Sequence, residues 1–227
     1  NTERRVQLMH KVIDPLPGTK PDWVILTELA KRMGYDWGYG SESEIFDEIA
    51  SVTPQYRGIS YARLEAGEQL CWPCPTPKHP GTPILHKDRF VRGLGKFHAV
   101  ENLDPAEMPD DEFPMILTTG RILEHFHTGT MTRKSKGLDA LVPGPYCELN
   151  QADADDLEIA DGDKVTVESR RGRIELEARV AERVGCGVLF IPFHFWEAAA
   201  NELTNTALDP TANIPELKVC SARVAKA

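Results

Sequence analysis

The sequence predicts a chain of two parts, an α-helical segment with a long loop followed by a mostly β domain built as a small barrel. Apolar residues recur at helical spacing only near the beginning of the chain. After residue 110 the pattern changes to short alternating strands joined by tight turns. Short strands of this kind favour a closed barrel over an open sheet. The predicted parts are residues 1–110 and 111–227.

Two helices are predicted in the first part. The first runs from Pro21 to Met33, because Pro21 suits a first helical turn and Gly34 suits a C-terminal cap. The second runs from Glu42 to Ala50 and carries its apolar side chains on one face. A loop rich in proline and glycine follows. A loop of this length usually lies across another surface, which we expect to be a part of the same protein that precedes Asn1.

The second part follows an acidic, proline-punctuated linker at residues 104–114. Its predicted elements, in chain order, are a buried strand Met115–Thr119, a short helix Asp153–Leu157 capped by Asn150, a hairpin of strands Lys164–Ser169 and Ile174–Val180, and a buried strand Gly187–Pro192. Strand alternation predicts which side chains fill the barrel. These are Val165, Val167, Ile174, Leu176, Val188, Phe190 and Ile191.

Composition excludes several classes of protein. Of the 227 residues, 41% are hydrophobic and 27% are charged, which is typical of a globular protein and not of a disordered one. The net charge of −9 argues against nucleic acid or an anionic membrane as the main partner. The longest apolar stretch, residues 187–196, contains a proline and a histidine and is far shorter than the roughly 20 residues of a membrane span. We therefore expect no membrane insertion.

The five cysteines form no disulfide framework, because their number is odd and their spacing irregular. A reducing, cytoplasmic compartment is the corresponding expectation. Only Cys71 and Cys74 have the spacing of a metal or redox pair, and no second pair accompanies them. The prolines around them predict an extended loop. The favoured interpretation is a loop with two free thiols, both reactive with alkylating reagents in the native chain, and no metal site.

The stretch most informative about function is Thr118–Arg133. It contains two glycines, five threonines, two histidines and two arginines, and it begins at the end of a strand. Small residues let backbone amides approach an anion closely, and arginine supplies a forked donor for phosphate. The stretch therefore predicts a phosphate or dinucleotide site. A metal site at His125 and His127 is a weaker alternative because no third ligand lies nearby, and a purely structural polar loop is the third.

Two further stretches carry polar groups among apolar ones. Residues 192–197 form an aromatic cluster, most of which we expect in the core. Asn201 follows this cluster, and its amide offers a donor and an acceptor to the edge of a heterocycle. The last of the stretches, residues 215–220, contains Lys218.

The three stretches together closely resemble the C-terminal domain of molybdopterin-dependent oxidoreductases, which hold a bis(molybdopterin guanine dinucleotide) centre. The run TGRILEHFHTGTMTR, residues 119–133, is similar to formate dehydrogenase alpha subunits and to periplasmic nitrate reductases. The opening NTERRVQ, the helix at 21–33, the motifs WPCP and HPGT, and the ending from Asn201 to Lys218 favour formate dehydrogenase. The resemblance implies an α/β segment followed by a double-psi β-barrel that closes over the pterin dinucleotides.

Carried over residue by residue, the resemblance implies a loop that cradles a dinucleotide, with Arg121 as its phosphate donor. The loop consists of Thr119, Gly120, Arg121, Ile122, Leu123, Glu124, His125, Phe126, His127 and Thr128. Asn201 and Lys218 match further cofactor contacts, and Phe193 matches a position at the substrate funnel.

The resemblance implies the C-terminal part of a formate dehydrogenase catalytic (alpha) subunit, which oxidises formate to CO2 at molybdenum or tungsten. No catalytic residue is expected in this chain. The metal ligand, its neighbours and a [4Fe–4S] cluster are expected in the part that precedes Asn1, and the chain alone is expected to be inactive. The implied partners are that part, electron-transfer subunits and formate. The alternatives are a fragment of a periplasmic or assimilatory nitrate reductase and a non-catalytic module that binds a cofactor or a partner.

Overall fold

The computed structural model describes all 227 residues, which divide into two units at residues 1–98 and 99–227. The division falls before the boundary predicted at residue 110. The difference arises because the acidic segment expected to link the two parts is bound to the second unit.

The first unit contains three α-helices. Helix α1 (Asp22–Arg32) and helix α2 (Glu42–Val52) confirm the two predicted helices. Helix α3 (Tyr61–Glu65) lies where the sequence predicts only loop. A helix of five residues is too short to show an apolar period. Outside the helices, this unit has isolated β-bridges, including one that pairs Arg5 with Cys71.

The two cysteines of the first unit differ in accessibility. Cys71 is half-buried, whereas Cys74 is fully buried and packs with Ile59 and Leu70. The Cys74 thiol donates to the carbonyl oxygen of His79 at 3.3 Å. The expectation that both thiols react in the native chain is therefore wrong for Cys74, because the loop folds over it.

The second unit is built on a closed barrel of six strands. The strands are β1 (Met115–Gly120), β2 (Tyr146–Leu149), β3 (Lys164–Glu168), β4 (Arg173–Val180), β5 (Val188–Pro192) and β6 (Cys220–Lys226). Their order around the barrel is β1-β5-β2-β4-β3-β6, with β1·β5 and β2·β4 parallel and the other pairs antiparallel. The predicted small barrel is confirmed. Strands β2 and β6 were not predicted, since β2 is short and buried throughout and β6 carries a polar sequence.

Two short helices accompany the barrel. Helix α4 (Lys136–Leu141) precedes β2, and helix α5 (Gln151–Asp156) follows it. The side chain of Asn150 accepts a hydrogen bond from the backbone N–H of Ala152 at 3.0 Å, so the predicted cap is confirmed. No helix of the chain has the length and apolar character needed to cross a bilayer.

The barrel interior agrees with the predicted alternation of β3 and β4. Val165, Val167, Ile174, Leu176 and Ile191 are buried in its core. The prediction is wrong for Val188 and Phe190, which are only partly buried and lie outside it, because Leu189 and Ile191 are the β5 side chains that face inward. A strand covered on both faces reads as a continuous apolar run, so its sequence does not reveal which parity faces the core.

The acidic segment before β1 is fixed to the barrel by its side chains. Glu107 accepts hydrogen bonds from the backbone N–H and the hydroxyl of Ser221, both at 2.7 Å, and pairs with Arg171. Asp110 pairs with Arg170. Phe113 is buried. This segment therefore belongs structurally to the barrel.

Candidate functional site

The candidate site lies where β1 ends. Thr119 is buried, and its hydroxyl donates to the carbonyl oxygen of Leu217 at 2.7 Å. Lys218 Nζ donates to the carbonyl oxygen of Thr119 at 2.6 Å. A Cβ atom on Gly120 would lie 2.4 Å from the ring of Phe190, so this position has no room for a side chain. These contacts bring the predicted residues of β1 next to the segment before β6.

Two cationic side chains meet at one aromatic ring. The guanidinium carbon of Arg121 lies 5.3 Å from the ring centroid of Phe193, and Lys218 Nζ lies 5.9 Å from it. We call Arg121, Phe193 and Lys218 the cationic cluster. The exposed guanidinium of Arg121 makes no hydrogen bond or ion pair within the chain. Each of the two positive charges lies close enough to the ring for a cation–π contact.

His194 holds the loop that follows Arg121. Its imidazole is 1% exposed, and Nε2 accepts a hydrogen bond from the backbone N–H of Ile122 at 3.0 Å. Its Nδ1 donates to the carbonyl oxygen of His127. Burial lowers the pKa of His194 below its ordinary value. This role was not predicted from the sequence. The sequence did contain a signal for it, a histidine inside an aromatic run expected in the core, because both ring nitrogens of a buried histidine need hydrogen-bond partners.

His125 has a structural role in the same loop. It is buried, with Nε2 at 2.8 Å from the carbonyl oxygen of Val142 and Nδ1 at 3.2 Å from the hydroxyl of Thr132. The backbone N–H of Phe126 donates to the same hydroxyl at 3.1 Å. Both nitrogens of His125 are therefore committed, and no group of three or more histidine, cysteine or acidic side chains is arranged to hold a metal ion.

The other predicted loop residues are open to solvent to different degrees. Leu123, Phe126, His127 and Thr128 are exposed, whereas Ile122 and Glu124 are partly buried. The backbone N–H groups of Leu123 and Glu124 donate to no group of the chain. They are therefore free to donate to a ligand.

Asn201 is not connected to the cationic cluster. It is exposed in a short 3-10 turn (Ala200–Glu202), and its carbonyl oxygen accepts from the hydroxyl of Thr204 at 3.1 Å. Its side-chain amide makes no hydrogen bond within the chain. The structure thus brings Thr119–Ile122 together with Phe193 and Lys218, and it leaves Asn201 outside their contacts.

A cavity of about 460 Å³ adjoins the cluster on the side of Arg121. Ile122, Leu123 and Phe190 form part of its wall, and so does the buried carboxylate of Glu148. Arg183 donates to that carboxylate through Nε at 2.8 Å. Glu148 and Arg183 were not predicted, and Phe190 was predicted only for the barrel interior, because these residues belong to elements far from Arg121 in the sequence.

The free donors of the site fit a dinucleotide. Arg121 is unpaired, Lys218 contacts the same Phe193 ring and donates to the carbonyl oxygen of Thr119 through one of its three N–H groups, and the N–H groups of Leu123 and Glu124 are uncommitted. In a chain of net charge −9, these donors form a local positive site for phosphate oxygens. The adjoining cavity adds apolar wall for a ring system.

Comparisons with known proteins agree with this assignment. Residues 115–222 match the family model described as the Molydopterin dinucleotide binding domain. The alpha subunit of an F420-dependent formate dehydrogenase of Methanocaldococcus jannaschii is 50% identical over 99% of this chain and 34% of its own length. Formate dehydrogenase H of Escherichia coli is 34% identical over 98% of this chain and 32% of its own length. The chain therefore spans about a third of the length of the curated relatives it matches.

A solved structure matches the fold. Acetylene hydratase from Pelobacter acetylenicus superposes with a TM-score of 0.70 over 96% of this chain and 34% of its own, at 19% sequence identity. Together with the family model, this match shows that the closed barrel is the double-psi β-barrel of molybdopterin enzymes. The chain belongs to the family of molybdopterin-dependent oxidoreductases that includes the formate dehydrogenase alpha subunits, and it corresponds to about a third of such a subunit.

Proposed function

We propose that this chain is the C-terminal, cofactor-binding part of a formate dehydrogenase catalytic subunit, and that the cofactor it holds is bis(molybdopterin guanine dinucleotide). The observation that carries the proposal is the unpaired guanidinium of Arg121, which contacts the same Phe193 ring as Lys218 at the end of a strand in a molybdopterin-binding barrel. Of the two enzymes that the resemblance leaves open, the formate dehydrogenase relatives support this one over nitrate reductase.

The residues of the site have distinct roles in this proposal. Arg121 binds phosphate through two parallel N–H groups, and Lys218 adds a point charge. The loop residues from Thr119 to Thr128 surround the ligand and contribute backbone N–H groups. The ring of Phe193 contacts both cations, and in this proposal it borders the substrate funnel. Asn201 binds from a separate turn, its amide being free of other partners.

The chemistry of the whole enzyme is the conversion of formate to CO2, one proton and two electrons. The bound cofactor, carrying molybdenum or tungsten, supplies the redox centre for this step. The residues of this chain bind and orient it. The metal ligand and a [4Fe–4S] cluster belong to the remaining part of the catalytic polypeptide in this proposal, so the chain alone has no activity.

The partners follow from the same proposal. The remaining polypeptide completes the catalytic subunit, and electron-transfer subunits accept the electrons. The names of the relatives from Methanocaldococcus jannaschii and Methanococcus maripaludis support F420 as the final acceptor. The free cysteines support a reducing, cytoplasmic location.

The test is replacement of Arg121 in the full-length enzyme. We expect Arg121→Ala to lower cofactor affinity by roughly 10- to 150-fold, because one charge-assisted contact is worth about 1.5–3 kcal/mol. The measurements are pterin and metal content per protein after gel filtration, and formate oxidation.

The matched control is Arg173→Ala, which removes an exposed arginine at the start of β4. We expect it to leave pterin content unchanged. A second control, Val165→Ala, shortens a core side chain and should lower stability without changing the pterin content of the folded enzyme. Folded Arg121→Ala enzyme with full pterin content and affinity would contradict the proposed site.

A further inference from the structure

His194 joins the two ends of one loop segment. Its Nε2 accepts from the backbone N–H of Ile122, and its Nδ1 donates to the carbonyl oxygen of His127. The intervening residues include Leu123 and Glu124, whose own N–H groups have no partner in the chain. One buried imidazole therefore sets the span of the segment that offers free backbone donors.

The two hydrogen bonds define the protonation state of the ring. A backbone N–H always donates, so Nε2 opposite Ile122 carries no proton. A carbonyl oxygen always accepts, so Nδ1 opposite His127 carries the proton. The ring is thus the neutral Nδ1–H tautomer. A proton added at Nε2 would point at the N–H of Ile122 and break that hydrogen bond.

The backbone at His127 is suited to this contact. Its φ is 48°, in the left-handed region that residues other than glycine rarely adopt. This conformation occurs at the residue whose carbonyl oxygen accepts from the buried imidazole, while its side chain is exposed. Such a conformation is unfavourable for a residue with a side chain, and it persists where surrounding contacts fix it.

We infer that His194 is a positioning residue. Its neutral ring, through its hydrogen bonds to Ile122 and His127, holds the loop between them in the conformation that binds the dinucleotide. Protonation of the ring breaks the hydrogen bond to Ile122 and weakens cofactor retention. The inference rests on the proposed function of the loop and adds to it a dependence on pH.

The surroundings of His194 oppose its protonation within the folded protein. The centroid of the His125 ring lies 6.0 Å from that of His194. Arg121 and His127 belong to the loop that His194 holds. Lys218 Nζ approaches the ring of the neighbouring Phe193. Arg133 lies over the ring of Phe195, and its charge is offset by Glu197. No carboxylate hydrogen-bonds to His194. Burial and these cations favour the neutral ring, so protonation requires pH below the ordinary range of histidine.

The experiment compares variants of the full-length holoenzyme. His194→Gln keeps a donor and an acceptor but does not titrate, whereas His194→Ala has neither. The matched control is His98→Gln, which makes the same substitution at an exposed histidine of the first unit. Two quantities are measured: amide hydrogen exchange in the peptide that covers residues 121–133, and pterin content after gel filtration over a series of pH values from about 8 down to about 4, because the pKa of the buried ring lies below the ordinary histidine value of about 6.5.

At about pH 8 we expect exchange at the loop to be about tenfold faster in His194→Ala than in the wild type, and His194→Gln to restore part of the protection. Pterin content should follow the same order. At the acid end of the series the wild type and His98→Gln should lose pterin, by up to about tenfold in affinity per pH unit, while His194→Gln should show no added loss.

Unchanged amide exchange of the loop in His194→Ala would contradict the positioning role of His194. A loss of pterin at low pH in His194→Gln equal to that of the wild type would show that protonation of His194 does not cause the loss. Faster exchange with full pterin content would support the positioning role of His194 and contradict the proposed function of the loop. Failure of the inference and failure of the proposed function are therefore distinguishable.

Discussion

A cationic side chain is fully available to a ligand when it forms no ion pair with a carboxylate of the protein. Arg133, at the end of the predicted stretch, donates to Glu197 at 2.7 Å and lies 3.5 Å from Asp139. Arg121, twelve positions earlier in the same stretch, has no acidic partner. The two arginines are the same residue type and lie in the same polar stretch of the sequence. Their availability differs because only one of them folds back onto carboxylates.

Gly120 is the residue whose size the site depends on most directly. A Cβ atom there would lie 2.4 Å from the Phe190 ring, so we expect Gly120→Ala to destabilise the barrel by about 1–3 kcal/mol through overpacking. The measurement is chemical denaturation followed by circular dichroism.

The matched control is Gly137→Ala in helix α4, where an added Cβ meets no atom within 4 Å. There we expect unchanged or slightly raised stability, because alanine favours a helix over glycine by up to about 1 kcal/mol. Equal effects of the two substitutions would show that the Phe190 contact does not limit the size of residue 120.

At the scale of elements, the acidic segment before β1 acts as a strap on the barrel. Glu107 makes its contacts with Ser221 of β6 and with Arg171 of the β3–β4 turn, which are adjacent in the barrel. Burial alone would raise the pKa of the Glu107 carboxyl. Its bonds with Arg171 and Ser221 outweigh burial and lower the pKa from 4.5 to about 2.

This lowered pKa makes the strap sensitive to acid. The folded state binds the Glu107 proton more weakly than the unfolded state, so the stabilisation is complete above about pH 4.5 and is lost as the pH falls towards 2. We expect Glu107→Gln to cost at most about 3 kcal/mol of unfolding free energy at neutral pH, and to flatten the acid part of the stability curve.

The control for this prediction is Glu112→Gln, which changes an exposed glutamate of the same segment whose side chain has no partner. Denaturation at a series of pH values measures both variants. If Glu107→Gln and Glu112→Gln gave the same pH profile, the strap would not contribute to acid sensitivity.

At the scale of the molecule, the two units differ in how much core they contain. The barrel unit has one large apolar core, whereas the first unit has a small cluster around Ile59, Leu70 and Cys74 and many exposed apolar side chains. We expect residues 99–227 to unfold cooperatively as an isolated fragment, and residues 1–98 to be poorly ordered alone.

The boundary can be tested by shortening the fragment. Residues 115–227 keep every strand but lose Glu107, Asp110 and the buried Phe113. We expect this shorter fragment to be less stable than residues 99–227 by about 3 kcal/mol or more. Thermal unfolding followed by circular dichroism measures the difference. Equal stability would place the boundary at residue 115 and make the segment a true linker.

The sequence by itself determined the local features of this protein. Helices α1 and α2, the Asn150 cap and the β3–β4 hairpin were predictable, because a period of apolar residues, a capping side chain and a turn are properties of neighbouring residues. The stretch around Arg121 could be proposed as an anion site for the same reason, since its small residues and arginine are contiguous.

Only the tertiary structure decided which residues meet. It placed Arg121 and Lys218 at the same Phe193 ring, joined His194 to the loop after Arg121 and bound Glu107 to Ser221, all between residues that lie far apart along the chain. It also decided that Leu189 rather than Phe190 faces the barrel core, although both are apolar. The physical reason is that a closed barrel pairs strands that are far apart in the sequence, parallel for β1 with β5 and antiparallel for β6 with β1 and β3. Neither the partner nor the inward face of a fully covered strand is encoded by its neighbours in sequence.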